Sequence, residues 1–269
     1  MMGGLACLPM YDFPWTASAL DSVWTAMSKR LRGEGIDAPE ALTRGPPLEE
    51  MWRDPGLILG QTCGYPYWRD LRGQVTLIAT PIFRFEGCDG PRHGSFLIAR
   101  RDDTRRDLGA FRGARAAINA CDSNTGMNLF RAAVAPLAGG RPFFSEVVVT
   151  GAHALSLAAV AVGLADVAAI DNVSFALLRT GRPDLVERVK VIARTPSSPG
   201  LPFIASATFS PEAVATIRGC LFATLADPSL AADLATLGLE GAEVLDEAAY
   251  AEVADLERGA IQLGYPELA

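Results

Sequence analysis

Between Asn119 and Asp171 the chain carries two short segments rich in hydroxyls and glycine, each followed by a run that reads as a helix. The first is N-A-C-D-S-N-T-G, ending at Gly126; the second is T-G-A-H, ending at His153. A helix start leaves backbone N–H groups without intrahelical acceptors and carries a partial positive charge. Two such starts aimed at one point would hold an oxyanion, with the Ser123 and Thr125 hydroxyls as further donors and no metal required. Each residue also has a plainer reading. Ser123 and Asp171 are good N-caps, and a lone histidine is more often structural than functional. At a helix start, however, the His153 imidazole could donate to an anion, and the anion would favour its charged form. Asp171 closes the apolar run A-D-V-A-A-I-D. If it faces the same point, it selects a cationic or hydroxylated part of the ligand.

Other chemistries are poorly provided for. There are five cysteines and two histidines, His93 and His153. No C-x-x-C pair exists, so zinc-site spacing is absent and no metal or cofactor is expected. The scattered thiols read as free and partly buried, with a Cys63–Cys88 disulfide left open. The one plausible nucleophile–base pairing is Cys63 or Cys121 with His153, and Asp122 beside Cys121 disfavours a thiolate. No catalytic residue is assigned. His93, in a Gly/Pro loop, is read as structural.

The elements that must position these groups alternate regularly. Strands are expected at Leu5–Met10, Leu57–Gln61, Val75–Thr80, Ser95–Arg100, Ala114–Asn119, Glu146–Thr150, Val167–Ile170, Val189–Ala193 and Pro202–Ala207. Helices are expected at Ala17–Gly33, Gly126–Leu137, Ala152–Val162, Val173–Thr180, Pro211–Leu225, Ala226–Gly238 and Glu247–Gly264, with Ser210 as an N-cap before Pro211. Thr62–Tyr67 reads as a loop at the carboxyl end of a strand, where α/β folds place ligands, and Gln61 sits at its root. Tyr11, Trp15, Tyr65, Tyr67 and Trp68 supply aromatic cover, with Tyr11 and Tyr65 the better candidates for a ligand contact. Short connections and strand–helix repetition favour an α/β layer architecture. The Gly/Pro-rich and charged stretches near 84–94 and 181–188 are candidate crossings between two lobes.

The bulk numbers narrow the partners. With 269 residues, 49% of them hydrophobic, the chain suits one large or two medium domains. A net charge of −7 and the absence of a Lys/Arg block argue against nucleic acid. A bound anion must then be held by local groups rather than drawn by a global field. No stretch has 18 uninterrupted apolar residues, so no membrane span is expected. The N-terminus lacks a basic region followed by a long apolar run. A cytoplasmic chain and one whose export signal has been removed both remain open.

Taken together, several motifs resemble one family. They are L-P-M-Y-D, G-Q-T-C-G-Y-P-Y, I-A-T-P, S-F-L-I-A-R, N-A-C-D-S-N-T-G, V-V-V-T-G-A-H-A-L-S and A-D-V-A-A-I-D, in that order along nearly the full chain. They resemble the substrate-binding components of phosphate, phosphite and phosphonate ABC transporters, of the type 2 periplasmic binding protein class. The resemblance implies a two-lobed α/β fold with two hinge crossover strands and a ligand cleft that closes by hinge motion. The implied lobes are residues 1–86 with 187–269, and residues 87–186. It implies an oxyanion loop at Ser123, Asn124, Thr125 and Gly126, a histidine at His153 and an acidic residue at Asp171 that faces an amine on some ligands. From the first lobe it implies Tyr11 and Tyr65, and Gln61 and Ser95 complete the candidate set. Asn124 stands where many relatives carry a hydroxyl or a histidine. The expected ligand is a small oxyanion-bearing molecule, bipolar or hydroxylated rather than bare phosphate. The implied partner is an ABC transporter permease, the location periplasmic, and the chain a monomer or weak dimer. Two alternatives stay open: an enzyme of the pyrimidine-synthase or lyase type on the same scaffold, and a cytoplasmic ligand sensor. A transcription-regulator effector domain is disfavoured, since neither end carries a helix-turn-helix segment.

Overall fold

A computed structural model describes residues 4–269. They group into two compact units, each with its own five-stranded sheet. Unit 1 holds residues up to 84, residues 89–91 and Pro199–Ala249; unit 2 holds Phe85–Cys88, Arg92–Ser198 and Tyr250–Ala269.

The sheet of unit 1 runs in the order Leu5–Cys7, Leu57–Gln61, Phe203–Ser206, Val75–Phe83, Leu239–Glu243. The first pair is parallel and the others are antiparallel. Its core gathers the apolar faces of Ala17–Gly33, Pro211–Leu225 and Ala231–Leu237 against the strands, around Trp24, Met27, Ile58, Ile78 and Ile217. Ser210 caps the second of these helices by accepting from Ala213 N at 3.3 Å, with Pro211 at its first position, as its sequence predicts.

The sheet of unit 2 runs Val189–Arg194, Ser95–Arg100, Val167–Asp171, Arg115–Ile118, Glu146–Val149. The last three strands are mutually parallel and the first two antiparallel to their neighbours. Helices Leu129–Ala138, His153–Ala161, Asn172–Gly181 and Ala251–Gln262 complete the unit.

The units differ in extent from the expected lobes. Residues 187–198 fall in unit 2 because Val189–Arg194 pairs along Ser95–Arg100. Tyr250–Ala269 falls there too: Asn128 Nδ2 donates to Val253 O at 3.0 Å, and Arg131 Nη1 to Pro266 O at 2.7 Å. The chain therefore changes unit around 84–92, at 198/199 and again at 249/250.

Several element bounds also differ. The first strand stops at Cys7, and a 3₁₀ turn, Pro9–Tyr11, follows where Pro9 offers no N–H to a ladder. The expected loop at Thr62–Tyr67 contains the helical turn Gly64–Pro66, and a π turn, Tyr67–Leu71, follows. The expected helix from Gly126 begins instead as a π turn, Asn124–Asn128, and becomes α-helical at Leu129. All five cysteines are free thiols. No single helix among the described residues is long and apolar enough to cross a membrane.

Candidate functional site

Strand direction collects the chemistry of unit 2 at one sheet end. Arg115–Ile118 runs parallel to Glu146–Val149, with Ile118 opposite Val149, so both chains leave the sheet side by side. Asp171 ends a third parallel strand at the same end, and Ser95 begins the antiparallel strand directly opposite it. The two loops are then tied together. Thr150 N donates to Ile118 O at 2.8 Å, and Gly151 N to Asn119 O at 2.8 Å. The carboxyl end of parallel strands is where α/β sheets place ligands.

The Ser123–Gly126 loop is held by its own polar groups. Ser123 is extended, and its hydroxyl accepts from Gly126 N at 3.0 Å, which starts the turn and leaves the hydroxyl proton free to donate. Ser95 Oγ donates to Thr125 O at 2.7 Å. Asn124 is wholly buried: its amide donates to Ser198 Oγ at 2.8 Å and accepts from Asn128 Nδ2 at 3.1 Å. Gly126 is required by close approach. A Cβ there would lie 1.7 Å from Asn119 Oδ1 and 3.1 Å from His153 Cε1. Asn119 thus links both loops, through its carbonyl to Gly151 and its side chain over Gly126. Its Oδ1 is buried with no hydrogen-bond partner among the described residues. Sequence reasoning passed over this side chain, and only its place at the head of the motif pointed to it.

His153 opens the helix His153–Ala161. Its Nε2 lies 3.1 Å from Thr125 Oγ1, so hydroxyl and imidazole form a pair across the two loops. Part of the residue touches solvent, yet the ring sits deep, and Nδ1 is buried without a partner in hydrogen-bond geometry. Burial lowers the affinity of this ring for a proton; the charge of Asp171 and the Ala169 backbone oppose the shift without cancelling it. The ring is therefore neutral at pH 7.

Asp171 is buried, with one carboxylate oxygen hydrogen-bonded and the other close to a histidine but without a partner in hydrogen-bond geometry among the described residues. Oδ1 accepts from Ser174 N at 2.8 Å, capping Asn172–Gly181, and Oδ2 lies 2.9 Å from His93 Nε2. Burial pushes this carboxyl up, but the charge and hydrogen bond of His93, with His153 and the Ser174 amide, hold it below the ordinary range. Asn172 continues the tie by accepting from Gly94 N at 2.9 Å. His93, read from sequence as a loop residue, is in fact a buried strand residue and the partner of Asp171. Nothing in its local sequence signals that role; strand pairing brings it there. The Cys88 thiol is pushed up to about 12 by burial and then by the charge of Asp171.

In unit 1 the candidates sit on apolar ground. Tyr11 packs edge-on against Phe83 with ring centroids 5.3 Å apart. Gln61 Nε2 donates to Leu201 O at 3.2 Å, and its carbonyl accepts from the Trp52 indole at 3.0 Å. Both residues border an internal apolar cavity of about 40 Å³ shared with Trp24, Phe203 and Leu239. Tyr65 is buried in the Gly64–Pro66 turn, with the Arg69 guanidinium 5.0 Å from its ring centre. Among the described residues no group of His, Cys, Asp and Glu has the arrangement of a metal site.

The profile of the family described as "ABC transporter, phosphonate, periplasmic substrate-binding protein" matches residues 58–250. No curated protein matches by sequence. Among solved structures, a binding-protein component of an ABC phosphonate transporter from Pseudomonas aeruginosa superposes with a TM-score of 0.78 at 18% identity, covering 97% of this chain and 87% of that one. PhnD1 from Prochlorococcus marinus, solved with methylphosphonate, gives 0.73 at 14% identity over 94% and 97% of the two chains. XAC2383 from Xanthomonas citri, solved with chloride, gives 0.73 at 18% identity over 97% and 98%.

Proposed function

The chain belongs to the family of periplasmic substrate-binding proteins of phosphonate ABC transporters, and from that premise we propose that it binds a small phosphonate- or phosphate-like oxyanion and hands it to a membrane permease. One observation carries the reading: two helix starts are tied together at one end of the unit 2 sheet, with neutral donors pre-placed around them. The Ser123 hydroxyl and the Thr125 N–H take the oxyanion, and the Thr125 hydroxyl with His153 forms a second wall. Donors fixed in a dry site need no reorganisation when the ligand arrives. The permease partner and a periplasmic location for this chain are part of the same proposal.

Calorimetric titration with methylphosphonate, phosphite and phosphate tests it, with sulfate as the comparison anion. The expected result is one-to-one binding of at least one phosphorus oxyanion with no chemical change in it. At a ligand concentration 100 times Kd, binding should stabilise the protein by about 2.7 kcal/mol. Absence of heat and of thermal stabilisation with all three would overturn the proposal, as would turnover of the ligand.

A further inference from the structure

Arg131, on the helix Leu129–Ala138 that follows the Ser123–Gly126 loop, is a buried cation at 4% exposure. A buried charge is weak evidence for stability, and this one leaves its Nε without a hydrogen-bond partner among the described residues. Its ion-pair partner Glu257 lies 3.4 Å from Nη2. The shorter contacts are to neutral acceptors: Nη1 donates to Pro266 O at 2.7 Å, and Nη2 to Asn128 Oδ1 at 2.7 Å. A guanidinium has donors only, so Asn128 must turn its oxygen toward it. The Asn128 NH₂ then points the other way, to Asn124 Oδ1 at 3.1 Å and to Val253 O at 3.0 Å. Val253 O can only accept, so it demands the same orientation independently. Asn124 therefore presents its oxygen to Asn128 and its NH₂ to Ser198 Oγ at 2.8 Å. Both asparagines are wholly buried, so an amide turned the wrong way would set like groups against each other in a dry interior. All of these residues belong to unit 2.

We propose that Arg131 is a positioning residue for the Ser123–Gly126 loop: its donors set the direction of the Asn128–Asn124 amide relay, and through it the single geometry in which the loop meets the oxyanion. The ligand part of this inference rests on the oxyanion-binding reading above, whereas the relay stands on the hydrogen bonds alone. Nothing within the loop fixes which way the Asn124 amide faces, because its donor and acceptor ends are nearly equal in size. Arg131, further along the chain, removes that choice. The direction matters to the ligand because a binding constellation must be held to within about 0.5 Å of its productive geometry.

Two substitutions separate the donors from the bulk. Arg131→Lys keeps a side chain that can only donate, whereas Arg131→Met keeps an apolar stem and loses the donors. Titration with methylphosphonate should place Arg131→Lys within about threefold of the wild type and Arg131→Met weaker by roughly tenfold or more. Asn128→Asp is an independent probe: it still accepts from Arg131 but has no N–H for Asn124 or Val253, so its loss should match that of Arg131→Met. A merely structural role would lower the melting temperature of these variants and leave the affinity of the folded protein unchanged. That result overturns the inference, as do equal affinity losses in Arg131→Lys and Arg131→Met. NMR of the ligand-free protein reads the relay directly. The wild type and Arg131→Lys should each show one set of slowly exchanging side-chain NH₂ signals for Asn124 and Asn128, and Arg131→Met a second or broadened set. One unchanged set in Arg131→Met also overturns the inference. Should Arg131→Met not fold, Asn128→Asp decides by the same two measurements. If the wild type binds no phosphorus oxyanion, it is the oxyanion reading that has failed, and the NMR comparison still decides the relay.

Discussion

The candidate residues of the two units are built on opposite principles. In unit 2 they are short polar side chains that spend their hydrogen bonds on one another's loops: Ser95 on Thr125, Ser123 on Gly126, Asn124 on Ser198 and Asn128, Asp171 on Ser174. In unit 1 they are large and border apolar ground, Tyr11 against Phe83 and Gln61 beside an apolar cavity. A bonded polar loop is rigid and has one geometry, so it can specify the shape of an oxyanion. An aromatic surface fits by area and tolerates change. Specificity should therefore reside in unit 2, and adaptability in unit 1.

The sharpest way to break this contrast is a methyl group at a glycine in each unit. Gly126→Ala forces a Cβ to 1.7 Å from Asn119 Oδ1 and 3.1 Å from His153 Cε1, so two buried side chains must shift. We expect about 3 kcal/mol of lost stability and at least a hundredfold loss of ligand affinity. Gly60→Ala in unit 1 meets the methyl groups of Leu57 at 3.2 Å, the far end of a flexible side chain, and Cys7 Sγ at an ordinary 3.5 Å. It should cost under about 1 kcal/mol. Denaturant midpoints and titration measure both, and equal effects would erase the distinction. Next in size is Asn124→Ala, which takes one buried hydrogen-bond partner each from Ser198 and Asn128. A loss of about 2–3 kcal/mol is expected, with affinity falling in step.

A smaller effect in unit 2 depends on pH. His153 is held below its ordinary value of 6.5 by burial, so the unfolded chain takes up this proton more readily than the folded one. Its contribution is intact above pH 6.5 and declines as the pH falls below it. Asp171 is held below 3.8, so its contribution is intact above that value and is lost only in stronger acid. Thermal melts should show a two-stage acid decline, and His153→Gln should remove the first stage alone. A single stage in the wild type would mean that the imidazole is not desolvated as the structure has it.

The same contrast explains what was legible in the sequence. The Ser123–Gly126 loop could be read because capping chemistry is local: Ser123 and Gly126 are three residues apart, and their bond needs nothing else. The role of Asp171 was half legible. Its cap to Ser174 is local, but its engagement by His93, 78 positions earlier, depends on antiparallel pairing of Ser95 with Asp171. Asn119 was missed for the same reason. The strand Leu239–Glu243 was missed because L-E-G-A-E carries no β-branched or alternating signal. Its pairing carries the Val75 strand on to Phe83, past the expected stop at Pro81. Pro81 is tolerated there because the Phe203–Ser206 pairing on the other side ends at Ala79, so no ladder bond is lost.

The smallest predicted effect is the most discriminating for unit 1. Gln61 is the one amide among its candidates, and its Nε2 already donates to Leu201 O at 3.2 Å. Gln61→Met removes that bond and leaves a buried carbonyl short of a partner, which costs about 1 kcal/mol. The methionine chain is of similar length and suits the apolar cavity wall, so packing recovers part of the loss. If Gln61 serves mainly to hold Leu201, stability falls by about 1 kcal/mol and ligand affinity changes less than about threefold. If the amide instead reads the oxyanion directly, affinity should fall by roughly tenfold or more at nearly unchanged stability. The second outcome would move specificity into unit 1. It would show that a polar group on apolar ground can contribute as much as the bonded loop around Ser123.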